Sequence, residues 1–321
     1  MKDLDNAIFP VPAEYGSVHL GVKDGQIKRN LISGGSPGRV LSWAQHLDGV
    51  GKFPDKVLNH EDGILAILNY VNELSKAGVI ELVLANRLQV VLNGTFSKEE
   101  MTLGNTYMGA STTGINMFEF ARYGSVRDLL WLRGGTSGIM LPDISIEDTI
   151  ISRDVEYTND GVSDDIYFPD MFPSQKFMGI PSPDVSQMLE VVSKEYCSGS
   201  RRVHAARTKT VRELFRTNEK YREILADPAQ IAVYQLQTGE YPLPAAISME
   251  FSIYLAVMAY LNEKKGYKIK AGQSLIGSDP VCPYPIGNLA DARKEYGMHA
   301  YELELNQGLI LMETARRLRQ S

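Results

Sequence analysis

The chain has 321 residues, 44% hydrophobic and 22% charged, with a net charge of −6. That is the make-up of a globular protein long enough for one large α/β domain or two smaller ones. The acidic balance without a Lys/Arg block excludes the usual nucleic-acid and membrane-surface footprints, and the best apolar run, Ile253 to Leu261, is far too short to span a bilayer.

The opening Met1-Lys2-Asp3-Leu4-Asp5 lacks the apolar core of a signal peptide, so a cytoplasmic protein is expected. Cys197 and Cys282 stand apart from any Cys/His cluster, which predicts reduced thiols and no metal centre. Residues 1–17, with Pro10 and Pro12, read as an N-terminal arm. Asn30 to Ser33 predicts a short strand. It runs into Gly34-Gly35-Ser36-Pro37-Gly38-Arg39, then a helix marked by Leu41, Trp43, Ala44 and Leu47. Strand, glycine-rich turn and helix set backbone N–H groups against an anion, although the spacing is neither a dinucleotide fingerprint nor a Walker loop.

Residues 49–62 are polar and turn-rich, and Ile64 to Leu74 has helical spacing that stops at Gly78. Val79 to Leu84 predicts a strand that bends at Ala85-Asn86-Arg87 and continues from Leu88 to Val91, with Asn93-Gly94 as a hairpin turn. Tyr107 to Gly114 is a small-residue turn. Ser111 or Thr112 is expected to cap the following helix, which presents Ile115, Phe118 and Ala121 and closes at Gly124.

The apolar strand Leu129 to Leu132 ends in Arg133-Gly134-Gly135-Thr136-Ser137-Gly138. The glycines let a ligand approach the backbone, Arg133 offers a planar fork for phosphate or carboxylate, and Thr136 adds a hydroxyl. The alternative is a buried arginine that only ties loops together.

Asp148 to Tyr157 reads as a strand, 160–174 as loop, Ser186 to Tyr196 as helix, Val203 to Ala206 as a short strand and Val211 to Leu225 as mostly helix. After an irregular stretch over 226–247, Ser248-Met249-Glu250-Phe251 opens an apolar helix. Glu250 at its mouth is either a cap favoured by the helix dipole or a buried carboxylate with a task. Lys270 to Ile276 is the last predicted strand, ending in Gly277-Ser278-Asp279-Pro280. Residues 289–319 predict an amphipathic helix interrupted near Gly297. Alternating strands and helices predict one three-layer α/β/α domain over residues 18–321, with a mixed central sheet and ligand at the carboxyl ends of its strands.

Taken in order, these motifs resemble the nucleoside phosphorylases of the purine and uridine phosphorylase type. His19-Leu20-Gly21 looks like the family's histidine near the start of the domain, and Gly35-Ser36-Pro37-Gly38-Arg39 is similar to its Gly-Asp-Pro-x-Arg phosphate loop. Asn86-Arg87 resembles the arginine that reaches a neighbouring subunit's site. Arg133 to Gly138 matches Arg-x-Gly-Thr/Ser-x-Gly, and Met249-Glu250 matches the pair on the ribose hydroxyls. Tyr107 to Ser111 departs from the family's Gly-Met-Gly-x-Pro-Ser turn, residues 49–80 look longer, and Leu88 replaces a glutamate that helps bind an interface cation in bacterial uridine enzymes.

The resemblance implies phosphorolysis of an N-glycosidic bond through an oxocarbenium-like transition state. Gly35, Arg39, Arg87, Arg133 and Thr136 would hold phosphate; His19, Met249 and Glu250 would hold the sugar; and Phe215, Asn218 and Lys220 would meet the base. Arg133, Glu250 and Asp279 would carry the chemistry, with phosphate as co-substrate and no metal or organic cofactor. The stretch after Phe215 leans towards uridine, whereas Ser278-Asp279 resembles the purine enzymes' pair, whose aspartic acid serves as general acid. A hydrolytic nucleosidase would lack most of the three arginines, and a non-catalytic nucleoside-binding or storage relative would have lost Glu250 or those arginines. The implied assembly is at least a homodimer with shared sites.

Overall fold

The structure is a computed structural model and describes residues 20, 22–59, 63–86, 89–106, 110–141, 143–158, 176–197, 199–211, 227, 230, 233, 244–280 and 289–321. In chain order these give β1 (Asn30–Gly34), α1 (Pro37–Trp43), α2 (Asp55–Leu58), α3 (Ile64–Lys76), β2 (Glu81–Asn86), β3 (Gln89–Phe96), β4 (Glu99–Asn105), α4 (Ala110–Arg122), β5 (Leu130–Ile139) and β6 (Thr149–Thr158). They continue with β7 (Lys176–Gly179), α5 (Pro183–Tyr196), β8 (Val203–Thr210), β9 (Ala246–Ser248), α6 (Phe251–Lys265), β10 (Lys270–Pro280) and α7 (Leu289–Gln320).

All the described strands belong to one mixed sheet, as expected. Its organising member is β5. Leu130–Gly134 pair in parallel with Asn30–Gly34 of β1, and β10 runs parallel along the other edge. Beyond the end of β1, Gly138 and Ile139 pair antiparallel with β9. Because β10 also pairs with β6, β6 with β8 and β8 with β9, the five strands β5, β10, β6, β8 and β9 close into a ring. The ring was hidden in the sequence because β9 has only three residues and follows an irregular-looking stretch.

Alternation along the strands sends side chains to both faces of the sheet, where the two larger of three buried clusters lie. Leu31 and Trp131 pack with Met117 and Phe120 of α4 and with Phe251 and Tyr254 of α6. Ile32, Leu130 and Leu132 pack with α1, α3, α5 and α7 through residues such as Trp43, Val71, Leu189 and Leu311. Each large side chain buried this way contributes roughly 1.5–3 kcal/mol relative to exposure. Trp43 pins α7 to the sheet: a Cβ on Gly308 would lie 2.2 Å from its ring, one on Gly134 would lie 2.9 Å from it, and its Nε1 donates to Glu304 O at 2.6 Å.

Several boundaries differ from expectation. Asn93-Gly94 is strand interior, and the β3–β4 hairpin turns at Ser97-Lys98, both with positive φ. Asp48 stabilises that turn by accepting from both backbone N–H groups, which offsets the absence of glycine. Gly94 is small because a Cβ would meet Leu47 at 2.7 Å. The strand expected through Leu88 instead reverses, with Asn86 opposite Gln89. Ser111 and Thr112 lie inside the first turn of α4, so neither caps it, and α7 passes through Gly297 without a break.

Candidate active site

The carboxyl ends of β1, β4 and β5 meet beside the start of α6. Ser33 is in register with Arg133 and Gly34 with Gly134, and Thr106 N donates to Gly34 O at 2.9 Å. The β1 pairing ends at Gly134 and the β9 pairing begins at Gly138. Residues 135–137 thus have no strand partner on that edge of β5 among the described residues. Such a split between neighbouring strands is where open α/β sheets take ligands.

Arg133 and Glu250 come together at this split. Arg133 Nη2 donates to Glu250 Oε2, and the side chains are 3% and 5% exposed. Glu250 stands at the N-cap position of α6. Its place is fixed from several sides: β9 delivers the chain, Val211 N donates to Ser248 O at 2.8 Å, and Ser252 N donates to Thr210 Oγ1 at 3.1 Å. Tyr254, one turn further along α6, lies 2.8 Å by its hydroxyl from Ser33 Oγ and donates to Thr106 Oγ1 at 3.1 Å. Its ring meets Trp131 edge-on at 6.4 Å. Burial pushes the Tyr254 phenol above its ordinary pKa, so it remains a neutral clamp.

Two further donors of the Arg133 guanidinium, one on either side of Nη2, are unspent. Nε and Nη1 are buried without hydrogen-bond partners among the described residues. Orphaned buried donors on a charged group are costly, and a bound anion would satisfy them. An arginine fork held by a carboxylate at one corner, with two donors left, suits an oxyanion.

Gly35 follows the end of β1, Thr136 is half-buried on β5, and Met249 is half-buried on the link from β9 to α6. Arg39 sits in α1, whose N-cap Ser36 accepts from Arg39 N at 3.3 Å with Pro37 next. The Arg39 stem packs over Gly34, and its Nη2 donates to Glu304 Oε1 of α7 at 2.6 Å. The described contacts therefore join Arg133 to Glu250 but tie Arg39 to α7. Asp279 lies on β10 opposite Gly138, just past a register shift at Gly277. His19, Arg87, Phe215, Asn218 and Lys220 lie outside the described residues.

Sequence reading missed Tyr254, Glu304 and Gln307. Gln307 is buried on α7, and its Nε2 donates to Gly135 O at 3.0 Å and Ser274 O at 2.9 Å, tying α7 to β5 and β10. A glutamine between Leu303 and Leu311 on an apolar helix face was a readable signal, since buried amides need partners.

No protein-family model matches the sequence, and no curated protein matches it. Solved structures do match by fold. One of two uridine phosphorylases from the oomycete Phytophthora capsici aligns with a TM-score of 0.63 and 16% identity, covering 95% of this chain and 97% of that one. Uridine phosphorylase from Vibrio fischeri ES114 gives 0.62 and 15%, over 94% of this chain and 97% of that one. Purine nucleoside phosphorylase from Toxoplasma gondii, in complex with immucillin-H, gives 0.61 and 14%, over 96% and 99%. At such identities the likeness is one of architecture: this chain has the nucleoside phosphorylase fold.

Proposed function

We propose that the protein is a nucleoside phosphorylase that cleaves the N-glycosidic bond with inorganic phosphate, releasing free base and a pentose 1-phosphate. The observation that carries this reading is the buried Arg133–Glu250 pair with two arginine donors unspent. In this reading Arg133 aims phosphate at C1′, helped by Gly35 N–H, Thr136, Arg39 and Arg87. Glu250 and Met249, with His19, hold the ribose while positive charge develops on it. No covalent nucleophile and no organic cofactor or metal is required.

Uridine is the proposed substrate, with Phe215 stacked on the base and Asn218 and Lys220 at its edge. The alternative is a purine nucleoside: Ser278-Asp279, at the irregular end of β10, resembles the purine enzymes' pair, and Asp279 would then serve as general acid. A cytoplasmic salvage role, a single three-layer domain and a homodimer with shared sites complete the proposal.

The test is release of free base from uridine, inosine and adenosine, with and without phosphate. Phosphate-dependent release supports the reading. Equal release in phosphate-free buffer means a nucleosidase, and faster purine cleavage reverses the substrate assignment.

A further inference from the structure

Arg39 and Arg133 are held in the same way by different helices. Glu250 of α6 accepts from Nη2 of Arg133, and Glu304 of α7 accepts from Nη2 of Arg39. In both arginines Nε is buried and has no hydrogen-bond partner among the described residues. The two approach the strand ends from opposite faces. A Cβ on Gly34 would meet Arg39 Cδ and Trp43, and one on its register partner Gly134 would also meet Trp43, whereas one on Gly135 would meet Arg133.

Glu304 is itself anchored. Its backbone carbonyl accepts from Trp43 Nε1, and His46 Nε2 lies 2.8 Å from the neighbouring Leu305 O. The Arg39 side chain is only 10% exposed, so its charge is largely desolvated and needs a fixed counter-charge. A carboxylate at one corner supplies that and stops the guanidinium from rotating, while leaving the Nε–H donor for a ligand.

We infer that Glu304 is a positioning residue for the oxyanion subsite, aiming Arg39 as Glu250 aims Arg133. This deepens the phosphorylase reading and rests on it. Glu304 does not touch the reacting atoms; it acts through Arg39.

The test compares wild type, Glu304→Ala and Glu304→Gln. Phosphate and nucleoside KM are measured separately, inorganic phosphate is titrated calorimetrically, and melting is followed to confirm the fold. Alanine should weaken phosphate binding about tenfold, the scale of one charge-assisted hydrogen bond, and leave nucleoside KM within about twofold. Glutamine, which keeps an acceptor for Nη2 but not the counter-charge, should restore part of the loss. Unchanged or tighter phosphate binding in the alanine variant overturns the inference. So does an equal loss for phosphate and nucleoside, or a glutamine variant as poor as alanine. Wild type that neither binds nor requires phosphate removes the phosphorylase reading and this inference together, and that is seen before any variant is made.

Discussion

A Cβ on Gly135 would lie 2.5 Å from Nη1 of Arg133. The guanidinium thus folds back over the strand position two residues ahead of it, and only hydrogen leaves room for that. Gly135→Ala should displace Arg133 without unfolding the sheet. A misplacement of this kind costs up to about a hundredfold in turnover. Steady-state kinetics should show a fall in kcat and a rise in phosphate KM. Wild-type kinetics in a folded variant would mean that Arg133 does its work from another rotamer.

Tyr254→Phe removes the hydroxyl that bridges Ser33 and Thr106 and leaves their buried oxygens short of a partner. The expected loss is about 1–3 kcal/mol, read as a lower urea midpoint with an unchanged slope. Since Tyr254 fastens α6 next to Glu250, nucleoside KM should rise as well. A stability loss without that kinetic effect would confine Tyr254 to packing.

Two glycines of α7 should respond with opposite signs. At Gly308 an added methyl runs into the Trp43 ring, and Gly308→Ala should destabilise by roughly 1–3 kcal/mol. At Gly297 nothing lies within 4 Å, so Gly297→Ala should stabilise by up to about 1 kcal/mol through helix propensity. Melting temperatures decide both. Equal shifts would contradict the close packing of Trp43 against α7.

Asp48 sets the acid behaviour of the β3–β4 turn. Its small burial raises the carboxyl pKa, but bonds from Lys98 N–H, the Thr95 hydroxyl and Ser97 N–H outweigh this and hold it below the ordinary value. A depressed folded pKa stabilises above the unfolded value, roughly 4, and that stabilisation fades as pH falls through the folded value. The stability gap between wild type and Asp48→Ala should therefore be flat from neutral pH to about 5 and shrink below about 4. A gap that widens in acid would reverse the sign of this argument.

The local segments of the site were readable because their chemistry is contiguous in sequence. The strand into Arg133-Gly134-Gly135, the turn before Arg39 and Glu250 at the mouth of an apolar helix all announce themselves within a few residues. The misreadings arose where a distant residue overrides local preference. Asn93-Gly94 has turn chemistry, yet Leu47 packs where a Cβ would sit, and Asp48 makes Ser97-Lys98 the turn instead. Helix α7 carries Gly297 without breaking, since one glycine costs only about 1 kcal/mol against a helix of 32 residues. The pairing of Glu304 with Arg39 was invisible because Glu304 looks like any charge on an amphipathic helix. Only the folded chain shows which arginine it meets.

The ring that β5 closes with β10, β6, β8 and β9 has a consequence for how the protein is made. Arg133 meets Glu250 across 117 residues, and Arg39 meets Glu304 across 265. A chain emerging from the ribosome can pair β5 with β1 on one edge at once, but β10, which covers the whole of the other edge, comes more than a hundred residues later. Until then that edge is open to other nascent strands. Arg133 finds its carboxylate only once residue 250 is out, and Arg39 only once residue 304 is. Synthesis that stops before residue 250 leaves both arginines without their carboxylates, so neither ion pair can form piecemeal.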